Sequence, residues 1–142
     1  MQTSTQILAS LNLLGPPRRV LVVEDYVEWL LTLKLILEGL GHSVIPMIGV
    51  LDVDAQRIEG LTVAGKLFEP SPKTAEIEAV FLDYNFAGGK HNGATFLRDF
   101  RQHSAAPVLG MSSDRALNSL LESLGATESM QKSRLRAAFR EG

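Results

Sequence analysis

Arg19-Val20-Leu21-Val22-Val23-Glu24-Asp25 is the stretch on which the fold turns. An apolar, valine-rich run without alternation leads straight into two acids. A short continuous run of this kind predicts a strand buried on both faces of a parallel sheet. Leu30, Leu33, Leu37 and Leu40 follow at helical spacing and mark one face of a helix, which Gly41 ends. Ser43-Val44-Ile45-Pro46 then reads as a second short strand, which completes a strand–helix–strand unit.

The alternation continues downstream. Val80-Phe81-Leu82 predicts a strand ending on Asp83, and a glycine-rich loop, Gly88-Gly89-Lys90-His91-Asn92-Gly93, follows it. Phe96, Leu97 and Phe100 mark a helix face. Pro107-Val108-Leu109-Gly110-Met111 is the next strand and ends on Ser112-Ser113. Leu117, Leu120, Leu121 and Leu124 line a helix that stops at Gly125. Thr127 to Gln131 makes a fifth short strand with Lys132 at its end, and Leu135, Ala138 and Phe139 mark a last helix. Alternating strands and helices place the chain in the α/β class, with a parallel sheet covered on both faces. Upstream, Gly15-Pro16-Pro17 sets off residues 1–17. Ile7, Leu8, Leu11 and Leu14 recur at helical spacing there, but so short a helix is marginal alone. The expectation is a loosely held N-terminal tail ahead of one domain over 18–142.

Composition narrows the function classes. The 142 residues suffice for one domain with a sizeable core, and 45% hydrophobic against 21% charged residues is a globular balance. With no cysteine, disulfides, thiolate metal sites and cysteine nucleophiles are excluded. A net charge of −2 is not that of a nucleic-acid binder. No apolar stretch is long enough for a membrane span, and the N-terminus lacks the pattern of a signal peptide. The expectation is a cytoplasmic protein without nucleic-acid or membrane partners.

In open parallel sheets, ligands bind beyond the carboxyl ends of the strands. Asp25, Asp83, Ser112 and Lys132 each stand just past a predicted strand end. Glu24, Asp25 and Asp83 would repel one another unless a cation sat among them, and an all-oxygen set suits Mg²⁺. Mg²⁺ completes its shell with water and phosphate oxygens. An ammonium and a hydroxyl opposite are suitable phosphate donors. A carboxylate beside the metal can itself be the nucleophile and become an aspartyl phosphate. The residues thus describe a Mg²⁺-assisted, phosphoryl-accepting site.

Four segments, Val20-Leu21-Val22-Val23-Glu24-Asp25, Phe81-Leu82-Asp83-Tyr84-Asn85, Pro107 through Ser113 and Gly125-Ala126 through Lys132, together resemble the receiver (CheY-like) domain of two-component response regulators. The resemblance runs from about Arg18 to the C-terminus, in the family's order. It implies a five-stranded parallel, flavodoxin-like sheet of order 2-1-3-4-5. It implies Asp83 as phosphoacceptor, Asp25 as a direct Mg²⁺ ligand, Glu24 as a ligand mostly through water, and Asn85 as a ligand through its backbone carbonyl. Ser112 would bond a phosphoryl oxygen, Ser113 would leave room for it, and Lys132 would pair with Asp83 or its phosphate. Asn85 and Asp114 would flank the phosphate and help orient an attacking water, so self-dephosphorylation within minutes is expected. The implied protein is not an enzyme but a stand-alone receiver. It would take its phosphoryl group from a histidine kinase or phosphotransfer protein and act on an output protein that the sequence does not name. Homodimerisation stays open.

Departures from the family are specific. Its aromatic switch position falls on Ser129, and its usual proline after the lysine is Ser133. The loop after Asp83 is long, and Lys90 and His91 in it read as solvated. The stretch from Met47 to Glu78 is long and rich in Val, Leu, Thr and Gly. It predicts a second helix that is shortened or replaced by a β-hairpin around Arg57 to Phe68.

Other patterns carry less. Gly60 to Lys66 matches most of a P-loop, but Leu67 stands where a Ser or Thr must bind Mg²⁺, and Pro70 and Pro72 deny the helix. Asp52-Val53-Asp54 resembles the first motif of haloacid-dehalogenase-type phosphatases, which keeps a Mg²⁺-dependent phosphatase using Asp52 as one alternative. A pseudo-receiver, a binding module that is never phosphorylated, is the other. Trp29 reads as packing on the first helix of the domain. Lys132, Arg134, Arg136 and Arg140 read as a solvated basic face.

Overall fold

The computed structural model describes residues 2–141. Five strands, β1 (Arg19–Val23), β2 (Ser43–Met47), β5 (Ala79–Leu82), β6 (Val108–Gly110) and β7 (Glu128–Ser129), form one sheet of order β2-β1-β5-β6-β7. Every pairing is parallel. Counted without the hairpin that intervenes in the chain, this is the expected 2-1-3-4-5 order. The register Val20↔Val44 and Val20↔Ala79 sets β1 between its two neighbours, so its side chains are buried on both sides.

Side-chain alternation divides the core in two. Val20, Val22, Ala79, Phe81 and Leu109 face the helices α1 (Ser4–Ser10), α2 (Val27–Gly39) and α5 (Lys132–Glu141). Leu21, Val23, Val80, Leu82 and Val108 face α3 (Gly93–Phe100), α4 (Arg115–Ser123) and a two-stranded hairpin, β3 (Gly49–Val53) with β4 (Ile58–Leu61). On α2, Leu30, Leu33 and Leu37 are buried as the periodicity requires. Leu40 and Leu120, read on the same stripes as their neighbours, instead face solvent. Asn92 caps α3 and receives the Thr95 side chain in return, while Asp114 caps α4.

The expected hairpin is present but sits earlier than Arg57–Phe68. β3 begins directly after β2, and its turn at 54–57 is tied by Asp54, which accepts from the backbone N–H groups of Gln56 and Arg57. Those two bonds hold the Asp54 carboxyl below its usual range. No helix spans 54–66. Val50, Val53 and Ile58 fill the core layer that a helix would otherwise cover.

The loosely held tail is corrected. Residues 4–10 form α1, closed by a Thr3/Gln6 capping box. Ile7, Leu8, Leu11 and Leu13 are buried in the core against α2, α5 and the sheet. A helix too short to stand alone is stable here because tertiary burial replaces intrinsic propensity. The linker after it is held by His42, whose Nδ1 accepts from Arg18 N at 2.9 Å while Nε2 lies 2.8 Å from Leu13 O.

Candidate functional site

Parallel pairing carries the carboxyl ends of β1, β5, β6 and β7 to one edge of the sheet. The backbone ladder runs a residue past the strands themselves. Glu24 N donates to Met47 O at 2.9 Å, Asp83 N to Val23 O at 3.0 Å, and Met111 N to Leu82 O at 2.9 Å. The residues that leave the sheet are therefore pinned at their main chain before their side chains turn outward. Gly93 lets α3 approach this edge closely. Its N–H donates to Tyr84 O, and a Cβ on it would stand 2.6 Å from Asp83 O.

Glu24, Asp25 and Asp83 each offer a carboxylate oxygen within 4.8 Å of the others. Glu24 is fully buried, Asp83 is 5% exposed and Asp25 is open to solvent. Lys132 stands at the start of α5, and its Nζ lies 2.8 Å from Glu24 Oε1 and 3.1 Å from Asp83 Oδ2. The contact to Asp83 is also aligned as a hydrogen bond. The second oxygens are occupied locally: Tyr26 N donates to Glu24 Oε2 at 3.0 Å, and Tyr84 N to Asp83 Oδ1 at 2.8 Å.

The charges are unevenly matched. Burial, and then the Asp83 charge beside it, push the Glu24 carboxyl up to about 7 against the partial relief that Lys132 supplies. Burial alone would push the Lys132 ammonium down, but the Glu24 and Asp83 carboxylates outweigh it and hold it above the ordinary lysine range. Three carboxylates facing one ammonium leave an excess of negative charge at the strand ends. Glu24 Oε1 is buried, and its close polar neighbour is the Lys132 ammonium at 2.8 Å, which it shares with Asp83. Three carboxylate oxygens this close together, with one ammonium among them, are a donor set suited to a hard divalent cation. The residues present fit such an ion.

The hydroxyl side is equally ordered. Ser112 is buried, and its Oγ accepts from Asp114 N at 3.1 Å, which leaves its own proton free to be donated. Lys132 N donates to Ser112 O at 3.3 Å, so the β6 and β7 ends are joined behind the site. Ser113 is exposed, and its carbonyl accepts from Gln131 Nε2 at 3.3 Å. Asp114 is exposed and spends its carboxylate on the N-cap of α4, through Ala116 N at 2.8 Å. Asn85 lies in the exposed bend after Asp83, and its carbonyl accepts no hydrogen bond among the described residues. Ser129, on β7, donates its hydroxyl to the Glu122 carboxylate on α4.

Sequence reasoning missed Asn118. It is buried on α4 and makes two hydrogen bonds to the backbone of Ser112. The signal was present, since Asn118 precedes Leu121 by three and so falls on the buried stripe of an otherwise apolar helix face. His91 also departs from expectation. Lys90 is solvated, but His91 is buried with Nδ1 3.1 Å from Thr95 Oγ1. The basic face of α5 is only partly solvated. Lys132 turns into the site, and the Arg136 guanidinium lies over the rings of Tyr26 and Trp29, at 5.0 and 5.4 Å from their centroids. Trp29 is buried, as packing on α2 requires. Asp52 lies on β3 and is not in the carboxylate cluster, while Asp54 ties the hairpin turn. The P-loop-like segment supplies β4 and the turn after it.

No protein-family model matches the chain, and no curated protein matches it. Solved structures do. A putative response regulator from Chloroflexus aurantiacus superposes with a TM-score of 0.58 at 17% identity, over 89% of this chain and 97% of that one. The chemotaxis protein CheY4 of Vibrio cholerae gives a TM-score of 0.54 at 15% identity, over 88% and 98%. A response regulator from Burkholderia pseudomallei, solved with a phosphorylated aspartic acid, a calcium ion and citrate, gives 0.55 at 15% identity, over 85% of this chain and 65% of that one. The sheet order, the layers on its two faces and these likenesses agree: the chain has the receiver fold, the CheY-like α/β sandwich of two-component response regulators.

Proposed function

We propose that this chain accepts a phosphoryl group on Asp83 and works as a phosphorylation-dependent receiver in two-component signalling. One observation carries the proposal: the Lys132 ammonium lies within reach of Asp83 and Glu24 while Asp25 completes a three-carboxylate cluster at the strand ends. Neither helix capping nor core packing explains that arrangement.

The acceptor oxygen of Asp83 forms the new O–P bond as the donor's P–N bond breaks and the imidazole of a phosphohistidine departs. Glu24, Asp25, Asp83 and the Asn85 carbonyl are the groups that would hold Mg²⁺, which when bound neutralises the phosphoryl oxygens. Lys132 pairs with one of those oxygens instead of the Asp83 carboxylate. Ser112 donates its free hydroxyl proton to another. Phosphorylation adds charge and acceptor oxygens at a buried point, and the response passes to a partner through protein contact. The donor is a histidine-phosphorylated kinase or phosphotransfer protein. On this reading the chain is a phosphoacceptor and not a catalyst of turnover, apart from loss of its own phosphate.

Intact-mass measurement after treatment with acetyl phosphate and Mg²⁺ tests the proposal. The wild type is expected to gain one phosphate only when Mg²⁺ is present, and Asp83→Asn to gain none. Equal labelling of Asp83→Asn would move the acceptor elsewhere. A wild type left unlabelled both by acetyl phosphate and by a phosphorylated kinase would leave a pseudo-receiver.

A further inference from the structure

Beyond the last strand residues the sheet can no longer satisfy the backbone of β6. Met111 N still finds Leu82 O, but Ser112 is one residue further out and buried. A buried N–H without a partner is destabilising, so something outside the sheet has to supply its partner. Asn118 does. Its Oδ1 accepts from Ser112 N at 2.9 Å, and its Nδ2 donates to Ser112 O at 3.0 Å. Both bonds are buried, and both go to the same residue. One side-chain amide thus holds the N–H and the C=O of Ser112 together, as a neighbouring strand would.

The clamp fixes more than a main chain. With both polar backbone groups held, the Cα–Cβ direction of Ser112 is set, and its hydroxyl is placed against Asp114 N at 3.1 Å with the proton free. Two hydrogen bonds of defined direction permit far less rotation than one. Nothing about α4 itself requires an amide here: the neighbouring position on the same stripe is Leu121, which is fully buried. A leucine at 118 would pack on the stripe equally well and leave the Ser112 N–H unpaired, with Lys132 N as the remaining partner of its carbonyl.

We infer that Asn118 is a positioning residue, which acts through the backbone of Ser112 to aim the serine hydroxyl at the phosphoryl group and ties that serine mechanically to α4. The inference rests on the proposed phosphoacceptor role of Asp83. Ser129 bonds Glu122 of the same helix and offers no aromatic ring, so the Asn118 amide ties the Ser112 backbone to the body of α4, while the Ser112 hydroxyl meets only its N-cap, Asp114.

A double-mutant cycle tests it, with the Mg²⁺-dependent rate of acetyl phosphate labelling as readout. Asn118→Leu and Ser112→Ala are each expected to slow labelling, about tenfold for a group misplaced by a fraction of an ångström. The double variant is expected to be no slower than either single one, because Asn118 acts only through the Ser112 hydroxyl. Multiplied losses would overturn the inference, since a merely structural residue would slow both backgrounds alike. Should Asn118→Leu fail to fold, Asn118→Asp takes its place in the cycle, because it keeps the acceptor for Ser112 N. Amide hydrogen exchange reads the clamp without any chemistry. Ser112 N–H is expected to be protected in the wild type and at least about tenfold less so in Asn118→Leu; equal protection in the two would overturn it. A wild type that cannot be labelled at all counts against Asp83 as acceptor, and the exchange measurement still decides the clamp.

Discussion

Lys132 is one ammonium shared by two buried carboxylates, and its removal is felt twice. Lys132→Met leaves Glu24 and Asp83 facing each other without a counter-charge. Breaking a buried ion pair from one side costs about 3 kcal/mol or more, so a clear loss of urea midpoint is expected at pH 8. Mg²⁺ should restore part of that loss, because it supplies the missing positive charge at the same oxygens. Glu24 gives the pH dependence. Its carboxyl is raised from 4.5 to about 7 in the folded chain. The folded state then binds its proton more tightly than the unfolded one, so the stability this proton contributes is fully present below about pH 4.5 and is lost as pH rises through about 7. Thermal unfolding in a chelating buffer should show that fall, and Glu24→Gln should flatten it. Proton and cation compete for the same oxygens, so Mg²⁺ should raise Tm more at pH 8 than at pH 5.5. A Mg²⁺ effect equal at both pH values would count against Glu24 as a participant. All the charged residues of the site were legible in the sequence because each stands at a strand end. Asn118 was not, because a buried amide on a helix looks like an interruption until its partner, Ser112, is known.

At the scale of elements, the hairpin β3–β4 is the part that composition announced and spacing misplaced. Val, Leu, Thr and Gly between Met47 and Glu78 argued against a helix, but the boundary depended on Asp54. Its carboxylate closes a turn that the sequence alone leaves indistinguishable from an acidic loop. The hairpin is fastened to the loop after Asp83 by a close backbone approach. Gly49 pairs with Ala87, and Ala87 N donates to Ile48 O at 3.0 Å. A Cβ at position 49 would stand 1.7 Å from Ala87 O, a backbone atom that cannot swing aside. Gly49→Ala is therefore expected to cost about 2–4 kcal/mol and to loosen the 84–92 loop. Denaturant midpoints and amide exchange across that loop check it. A variant as stable as the wild type would mean that the hairpin and the loop are not joined in this way.

For the molecule as a whole, the sheet order and its two apolar layers could be read from short runs ending in Asp, Ser or Lys, because a doubly wound sheet buries whole strands. The role of the first residues could not. Ile7, Leu8 and Leu11 have the spacing of a helix, but isolated propensity says nothing of a surface provided by residues far along the chain. That surface is α5 and the sheet face beneath it, and with α1 in place Leu11 is fully buried. Leu11→Ala should cost about 3 kcal/mol, or roughly 10 °C in Tm, as for other deeply buried leucines. A loss no larger than that of an exposed leucine such as Leu14 would mean that α1 is not part of the core. Calorimetry on both variants makes the comparison.

The docking of α1 also has a consequence in time. Gln2 donates to Glu128 across 126 residues, and Ser10 reaches the same carboxylate across 118. Ribosomes add about 5–20 residues per second, so α1 emerges on the order of ten seconds before the segment it packs against. Throughout that interval its leucines and isoleucine lack the part of their packing that α5 supplies. This helix is thus made well before it finds its full place, and the nascent chain carries an apolar, chaperone-accessible segment until α5 has left the tunnel.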